Sequence, residues 1–335
     1  MTAPHDDAAP PGREVRARGG GDACVAGAAG REVRSGGGGD SRVTLVVITR
    51  DRRDELLRVL GLMTGVAERP RIIVVDNGSA DGSADAVARD FPAVELIRAR
   101  ENLGALGRNL AVERVTTPYV AFCDDDTWWD SGALARAADL LDAHPDVASV
   151  TGRILVEPGG AEDPITPELR HSPVPAPPGL PGPALLGILA GASMLRAAAF
   201  RDVGGFSARL RFGGEEELLS LDLAADGWWL CWAEDVVVHH RASALRDPTE
   251  RRRLGIRNTL WTTWLRRPWR DAARRTAAVL RSLPRDRTSA GAVAAALAGL
   301  PWVLRERRPV PERVAAGLRL LEEPQRTSAA RRYVG

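Results

Sequence analysis

Tyr119-Val120-Ala121-Phe122-Cys123-Asp124-Asp125-Asp126 runs five apolar or aromatic residues straight into three adjacent carboxylates. A run with no polar alternation is the pattern of a strand covered on both faces, and such strands belong to parallel sheets sheathed by helices. Carboxylates crowded at its tip repel one another and lose hydration, so they call for a cation, or else for a solvated turn that caps the next helix. Hard oxygen ligands of this kind suit Mg²⁺ or Mn²⁺ held by one or two carboxylates plus substrate phosphates.

The neighbouring segments repeat the pattern. Upstream, Val43 to Ile48 and Arg71 to Val75 are further apolar runs, and Val94 to Ile97 is a third. Helical spacing lies between them, at Asp54 to Met63, Ser83 to Asp90 and about Ala105 to Val115. Downstream come a helix near Gly132 to Ala143, a strand at Ala148 to Val156, and a proline-rich loop from Glu157 to Pro183. A buried segment at Leu185 to Leu195 and a helix at Glu215 to Ala225 follow, then short strands at Trp228 to Trp232 and Val236 to Val238. Strands alternating with short helices predict an α/β fold with a mainly parallel sheet. Ligands in such sheets lie beyond the carboxyl ends of the strands, where Asp76 and the Asp triplet both fall.

Several residues near those ends carry chemistry. Asp76, followed by Asn77-Gly78-Ser79, offers an acceptor to a ribose or a base imino group, or simply closes an Asx-turn. Asn102, Gly104 and Arg108 surround the start of a helix, where a diphosphate could sit; alternatively Asn102 is an N-cap and Arg108 a surface residue. Glu215, Glu216 and Glu217 open a helix whose dipole favours their anionic form, which suits a general base as well as an ordinary acidic first turn. His239 and His240 end a Val-Val-Val strand, as structural side chains or as partners of a metal site. Trp128 and Trp129 offer flat faces to a sugar or fill the core.

In order along the chain, Val46-Val47-Ile48-Thr49-Arg50, Val74-Val75-Asp76-Asn77-Gly78-Ser79, Asn102-Leu103-Gly104 with Arg108-Asn109, and Asp124-Asp125-Asp126 resemble the motifs of family 2 glycosyltransferases of the GT-A fold. Gly191-Ala192-Ser193-Met194-Leu195-Arg196, Gly204-Gly205-Phe206, Gly214-Glu215-Glu216 and His239-His240 continue the match over about residues 43 to 243. The resemblance implies an inverting, metal-dependent transfer of a sugar from a nucleotide diphosphate to a hydroxyl of a glycan or lipid-linked acceptor. It implies a nucleotide pocket around Thr49, Arg50, Asp76, Asn102, Gly104, Arg108, Asp124 and Asp125. The implied metal site is Asp124 and Asp126 with His239 or His240, Asp126 foremost, holding Mg²⁺ or Mn²⁺. The acceptor side falls to Trp128, Trp129, Gly191 and Ala192. Where the family usually shows Glu-Asp after the glycine, Gly214 is followed here by Glu215-Glu216; the spacing to Gly227-Trp228 sets Glu216 at the position of the family's base, with Glu215 and Glu217 as alternatives. The triple Asp and the Arg-rich C-terminal part resemble rhamnosyl- and galactofuranosyl-transferring members, and a UDP- or dTDP-linked donor is expected.

Composition sets outer bounds. The 335 residues carry a net charge of +2, so the whole chain does not read as a nucleic-acid binder. That charge is uneven: from Arg246 onward 21 Arg face 8 acidic residues, a surplus of 13, against −11 for the remainder. No lysine occurs, which excludes Schiff-base lysine chemistry and a P-loop. A sugar-nucleotide pyrophosphorylase would need a Gly-rich phosphate loop, and a nicotinamide dehydrogenase G-x-G-x-x-G; Thr49-Arg50-Asp51-Arg52 stands after the first strand instead. A catalytically dead glycan-binding protein is expected to have lost acidic residues that are all present.

Cys24, Cys123 and Cys231 form no pairable pattern, which fits a reducing cytosol. No apolar run is long enough for a membrane span, and the N-terminus lacks a secretory h-region. Residues 1–41 are Gly-rich, with Arg-Glu-Val-Arg occurring twice, and read as a disordered tail. Residues 42–245 read as the GT-A domain and 246–335 as an Arg-rich helical region. There Trp261, Trp264, Leu265 and Trp269 interleave with Arg266, Arg267 and Arg270, as a surface for anionic lipid at the inner face of the plasma membrane or as a cap on the acidic catalytic part.

Overall fold

The computed structural model describes residues 40–241 and 248–327. In chain order the first half comprises β1 (Val43–Thr49), α1 (Arg53–Thr64), β2 (Arg71–Asp76), α2 (Ser83–Asp90), β3 (Glu95–Arg98), α3 (Leu106–Val112), β4 (Tyr119–Asp124), β5 (Thr127–Trp129), α4 (Ala133–Ala143) and β6 (Val147–Val156). Then come β7 (Ala161–Glu162), α5 (Thr166–Arg170), a 3₁₀ turn at Ala190–Ala192, β8 (Ser193–Arg196), α6 (Ala197–Asp202), α7 (Glu215–Ala225) and β9 (Trp229–His240). Five more helices follow: α8 (Pro248–Arg266), α9 (Trp269–Ser282), α10 (Arg287–Ala298), α11 (Leu300–Arg305) and α12 (Glu312–Thr327).

One sheet runs β3-β2-β1-β4-β8-β6-β9-β5, with β7 on the edge of β6. β3, β2, β1 and β4 are parallel, as their unbroken apolar runs require. Beyond β4 the sheet is mixed: β8 is antiparallel to both β4 and β6, while β9 is parallel to β6 and antiparallel to β5. The two short strands expected at 228–232 and 236–238 are one long strand, β9, with a register shift against β6 after Gly152. The proline-rich loop is partly ordered as β7 and α5.

Alternation along the strands splits the core into two layers. Val46, Ile73, Val75, Val120 and Phe122 face one layer, closed by α3, α6, α7 and, from the far end of the chain, Val314 and Leu318 of α12. Leu45, Val47, Ile72, Val74, Ala121 and Cys123 face the other, closed by α1, α2 and α4. Burying a Leu or Val of this kind contributes about 1.5–3 kcal/mol.

Of the expected Trp and Arg surface, Trp261, Trp264, Leu265, Arg266 and Arg267 turn inward, as a cap on the catalytic part requires, whereas Trp269 and Arg270 are exposed. Trp261 packs edge-on to Trp302 and donates from Nε1 to Ala296 O; Trp264 donates to Thr276 Oγ1. Leu265 is buried, Arg266 pairs with Asp222 and Arg267 with Glu322. An ion pair and an apolar contact both gain more against a protein neighbour that excludes water than against solvent. Among the described residues no helix is long and apolar enough to cross a membrane. Cys123 and Cys231 are free and buried. The tail, apart from Asp40 and Ser41, and Cys24 lie outside the described residues.

Candidate active site

The parallel register sets three strand ends side by side. Thr49 of β1 stands opposite Asp76 of β2, and Ile48 opposite Asp124 of β4. Each then turns a different way, giving three linked clusters.

The first is centred on Asp76, which is 3% exposed. Its Oδ2 accepts the Ser79 N–H at 3.2 Å, while Oδ1 is buried without a partner. A buried acceptor with no donor is costly, so this oxygen is poised for a ligand N–H or O–H. Asn77 Nδ2 donates to Gly104 O, and Asn102 Oδ1 accepts from Gly104 N. Asn102 thus closes a local turn and is not the helix cap. Gly104 has φ +58°, and a Cβ there would meet Arg211 O at 2.1 Å, so only glycine lets the two loops touch. Arg50 points outward beside Asp51. Asp51 has φ +51°, and this left-handed turn sends the following Arg52 inward.

Arg52 organises the second cluster. Its Nη1 donates to Asp125 Oδ1 at 2.6 Å and Asp126 Oδ2 at 2.9 Å, with all three side chains nearly closed to solvent. Thr49 Oγ1 donates to Asp125 Oδ2 at 2.9 Å. Burial raises the Asp125 carboxyl, and Arg52 and Thr49 pull it back. The Asp triplet therefore already holds a cation, the guanidinium.

The third cluster is built around Asp124, the triplet carboxylate most open to solvent. The Asp124 side chain is 35% exposed, and Oδ1 accepts from Arg108, which is buried rather than on the surface. The Arg108 guanidinium also lies over the rings of Phe122 and Phe206. Asp124 Oδ2 lies beside Gly191, where a Cβ would come within 2.9 Å. Glu216 Oε1 accepts the Ala190 N–H at 2.7 Å, and Glu215 is buried with Oε2 unpartnered. Ser220 Oγ donates to Glu216 O and accepts from Ile188 N, strapping α7 to the segment that carries Ala190 and Gly191. Glu217 makes no hydrogen bond or ion pair with the described residues. Of the three glutamates, Glu215 and Glu216 lie in the cluster with Asp124 and Arg108.

Burial pushes both carboxyls up, Glu216 to about 8 with the charge of Glu215 as the second cause. A carboxyl raised in the folded state favours folding at low pH, and that contribution is lost as pH climbs from its ordinary 4.5 through the raised value. Glu216→Gln keeps the acceptor for Ala190 and cannot ionise. Its melting temperature is therefore expected to match the wild type at pH 5 and exceed it by about 5 °C at pH 9. Parallel melts at the two pH values check this; an equal offset at both would remove Glu216 as the titrating group.

Three expectations need correction. Trp129 is 1% exposed and donates from Nε1 to Phe122 O, so it is core and cannot meet an acceptor. Trp128 is half-buried, stacked on His239 at 5.3 Å and with Arg58 4.7 Å from its ring centroid, so its ring is engaged within the protein. His239 Nδ1 pairs with Glu157 at 3.0 Å, and His240 Nδ1 lies 3.7 Å from Asp163, so each imidazole has a carboxylate partner outside the Asp triplet. Among the described residues no group of three or more His, Cys, Asp or Glu side chains is arranged to hold a metal ion.

Arg52 and Asn258 were not legible as site residues. Asn258 of α8 is fully buried and donates to Phe212 O and Gly213 O at 2.9 and 2.6 Å, bracing the turn that leads into Glu215. Its only sequence signal is an amide in an otherwise Arg- and Trp-rich helix.

Residues 44–204 match the family model "Glycosyl transferase family 2". That segment is a family 2 glycosyltransferase domain. As a glycosyltransferase the chain resembles the N-acetylglucosaminyl-diphospho-decaprenol L-rhamnosyltransferase of Mycobacterium tuberculosis, at 27% identity over 243 residues, 61% of this chain and 78% of that protein. The pre-mycofactocin glycosyltransferase of the same species is 30% identical over 218 residues, 61% of this chain and 44% of that one. Among solved structures, the mannosyltransferase PcManGT from Pyrobaculum calidifontis, in complex with GDP-Man and Mn²⁺, aligns with a TM-score of 0.53 at 21% identity. That alignment covers 88% of this chain and 84% of the mannosyltransferase, and it supports the GT-A fold of this glycosyltransferase.

Proposed function

We propose that this glycosyltransferase moves a hexose or deoxyhexose from a UDP- or dTDP-linked donor to a hydroxyl of a lipid-diphosphate-linked glycan, with inversion. The observation that carries the reading is the set of adjacent strand ends that present the unpartnered Asp76 Oδ1 and the partly exposed Asp124, with the Glu216 carboxyl of α7 in the cluster around Asp124. Asp76 receives the imino or ribose donor of the nucleotide. Glu216 takes the proton of the acceptor hydroxyl as that oxygen attacks the anomeric carbon. The bond from that carbon to the diphosphate breaks on the opposite face, so one displacement inverts the centre. A carboxyl near 8 is well matched to a base working close to neutrality. Ala190 N–H orients Glu216, and the missing side chain of Gly191 lets the Asp124 carboxylate lie against the Ala190–Ala192 turn.

The donor set fits a divalent ion of the kind that takes few protein ligands and completes its shell with phosphates and water. Asp124 would hold it from its open side, and Asp126 would join only by giving up Arg52. When bound, such an ion neutralises charge on the departing diphosphate. The Mn²⁺ in the mannosyltransferase structure supports this reading, as the decaprenol-linked substrate of the mycobacterial relative supports a lipid-linked acceptor. Residues 42–245 are then the catalytic domain and 246–335 a helical region built onto it, working on the cytoplasmic side of a membrane.

The direct test incubates the purified chain with UDP- and dTDP-sugars and follows release of nucleoside diphosphate. We expect release from one of these donors at least tenfold faster with Mn²⁺ or Mg²⁺ than with EDTA. Release that is indifferent to EDTA removes the ion from the scheme.

A further inference from the structure

Helices α9 and α10 both pack on α8, and an open groove of about 560 Å³ runs between them. Leu280, Leu283, Val293 and Leu297 line it, with Arg285 at the connection between the two helices. Leu280 and Leu297 are 45% and 59% exposed. Ser289 also lines the groove, and its Oγ is buried without a partner. Apolar side chains standing singly in solvent are ordinary, but a contiguous apolar groove marks an interaction site.

Charge says what covers it. From Trp269 to Arg308 there are nine Arg and three acidic residues. All three acids already face Arg: Asp271 meets Arg319 and Arg274, Asp286 meets Arg252, and Glu306 lies near Arg209 and Arg305. By contrast, Arg270, Arg281, Arg285, Arg287 and Arg308 are exposed and meet no carboxylate among the described residues. Trp269 at the start of α9 is 59% exposed, and Leu304 of α11 is 46% exposed. Protruding Leu side chains beside exposed Arg281, Arg285 and Arg287 match the chemistry of an acyl chain beneath a phosphate headgroup.

We propose that the α9–α10 face seats on an anionic bilayer, with acyl chain in the groove and lipid phosphates on Arg281, Arg285 and Arg287. The purpose of this docking rests on the lipid-linked acceptor proposed above, while the surface itself stands on charge and exposure. It sets the membrane contact not on Trp261, Trp264, Arg266 and Arg267, which are engaged within the protein, but on the two helices that follow α8.

The test sediments the full chain with phosphatidylglycerol-containing vesicles and with pure phosphatidylcholine vesicles, at low and high salt. We expect binding to the anionic vesicles only, weakened by salt. Leu280→Asp with Leu297→Asp should weaken it at least tenfold. Arg281→Ser, Arg285→Ser and Arg287→Ser together should weaken it about a hundredfold, at roughly fivefold per Arg. Donor hydrolysis and melting temperature should not change in either variant. The proposal is overturned by a wild type that stays in the supernatant, by equal binding to neutral vesicles, or by variants that sediment undiminished. It is also overturned if the double Leu variant converts a dimer to a monomer, since the face would then cover a second copy. Sedimentation without donor turnover would leave the docking standing and sink the catalytic reading; turnover onto a soluble acceptor without sedimentation would do the reverse.

Discussion

Glu216→Gln is expected to reduce sugar transfer about a thousandfold while leaving donor affinity within threefold of the wild type. The amide keeps the shape of the side chain and can still accept from Ala190 N–H, so α7 and the Ala190–Ala192 turn stay in place. What it loses is the capacity to take a proton. Glu216→Asp should retain more activity than the amide, because a shorter base is still a base. Glu217→Gln should leave transfer unchanged. Glu215→Gln is the informative control: Glu215 raises Glu216 through its charge, so neutralising it should shift the pH-rate profile of transfer to lower pH without abolishing the reaction. A Glu216→Gln enzyme with more than a tenth of wild-type transfer rate would end the assignment.

Asp124→Asn is the second large effect, with an expected loss of about 10²–10³ in kcat. Arg108 is buried and depends on Asp124, so an alanine would strand its charge and confuse folding with catalysis. Asparagine still offers Arg108 an oxygen, and circular dichroism melts should show only a modest decrease. Asp126→Asn should behave in the opposite way. Its side chain is 1% exposed and bound to Arg52, so the change should register first as a lower melting temperature. If Asp126→Asn abolishes transfer at an unchanged melting temperature while Asp124→Asn is mild, the open carboxylate is not the one that works.

Much of this was legible from residue types. The parallel half of the sheet follows from apolar runs without alternation, and the place of the site follows from where those runs stop. Asp76, Asp124 and the glutamates of α7 were visible because each lies at a strand end or a helix start, where a side chain meets solvent or ligand. Trp128, Trp129, His239 and His240 were less tractable. A tryptophan next to a carboxylate can fill a core or cover a sugar, and only the strand pairing of β5 with β9, which stacks Trp128 on His239, separates the two.

Local order in the parallel half, β1 to β4 with the helices between them, was determined by the sequence alone, because the apolar period and the turn residues act over a few positions. Which of two neighbouring arginines enters the site was not, since that depends on the left-handed turn at Asp51 and on carboxylates more than 70 residues away. The same holds for Asn258, which acts on Gly213 across 45 residues of chain, and for α8, whose Trp and Arg side chains suit either a bilayer or a protein neighbour. Burial and ion pairing are properties of whatever surrounds a side chain, and those surroundings exist only once distant segments have packed.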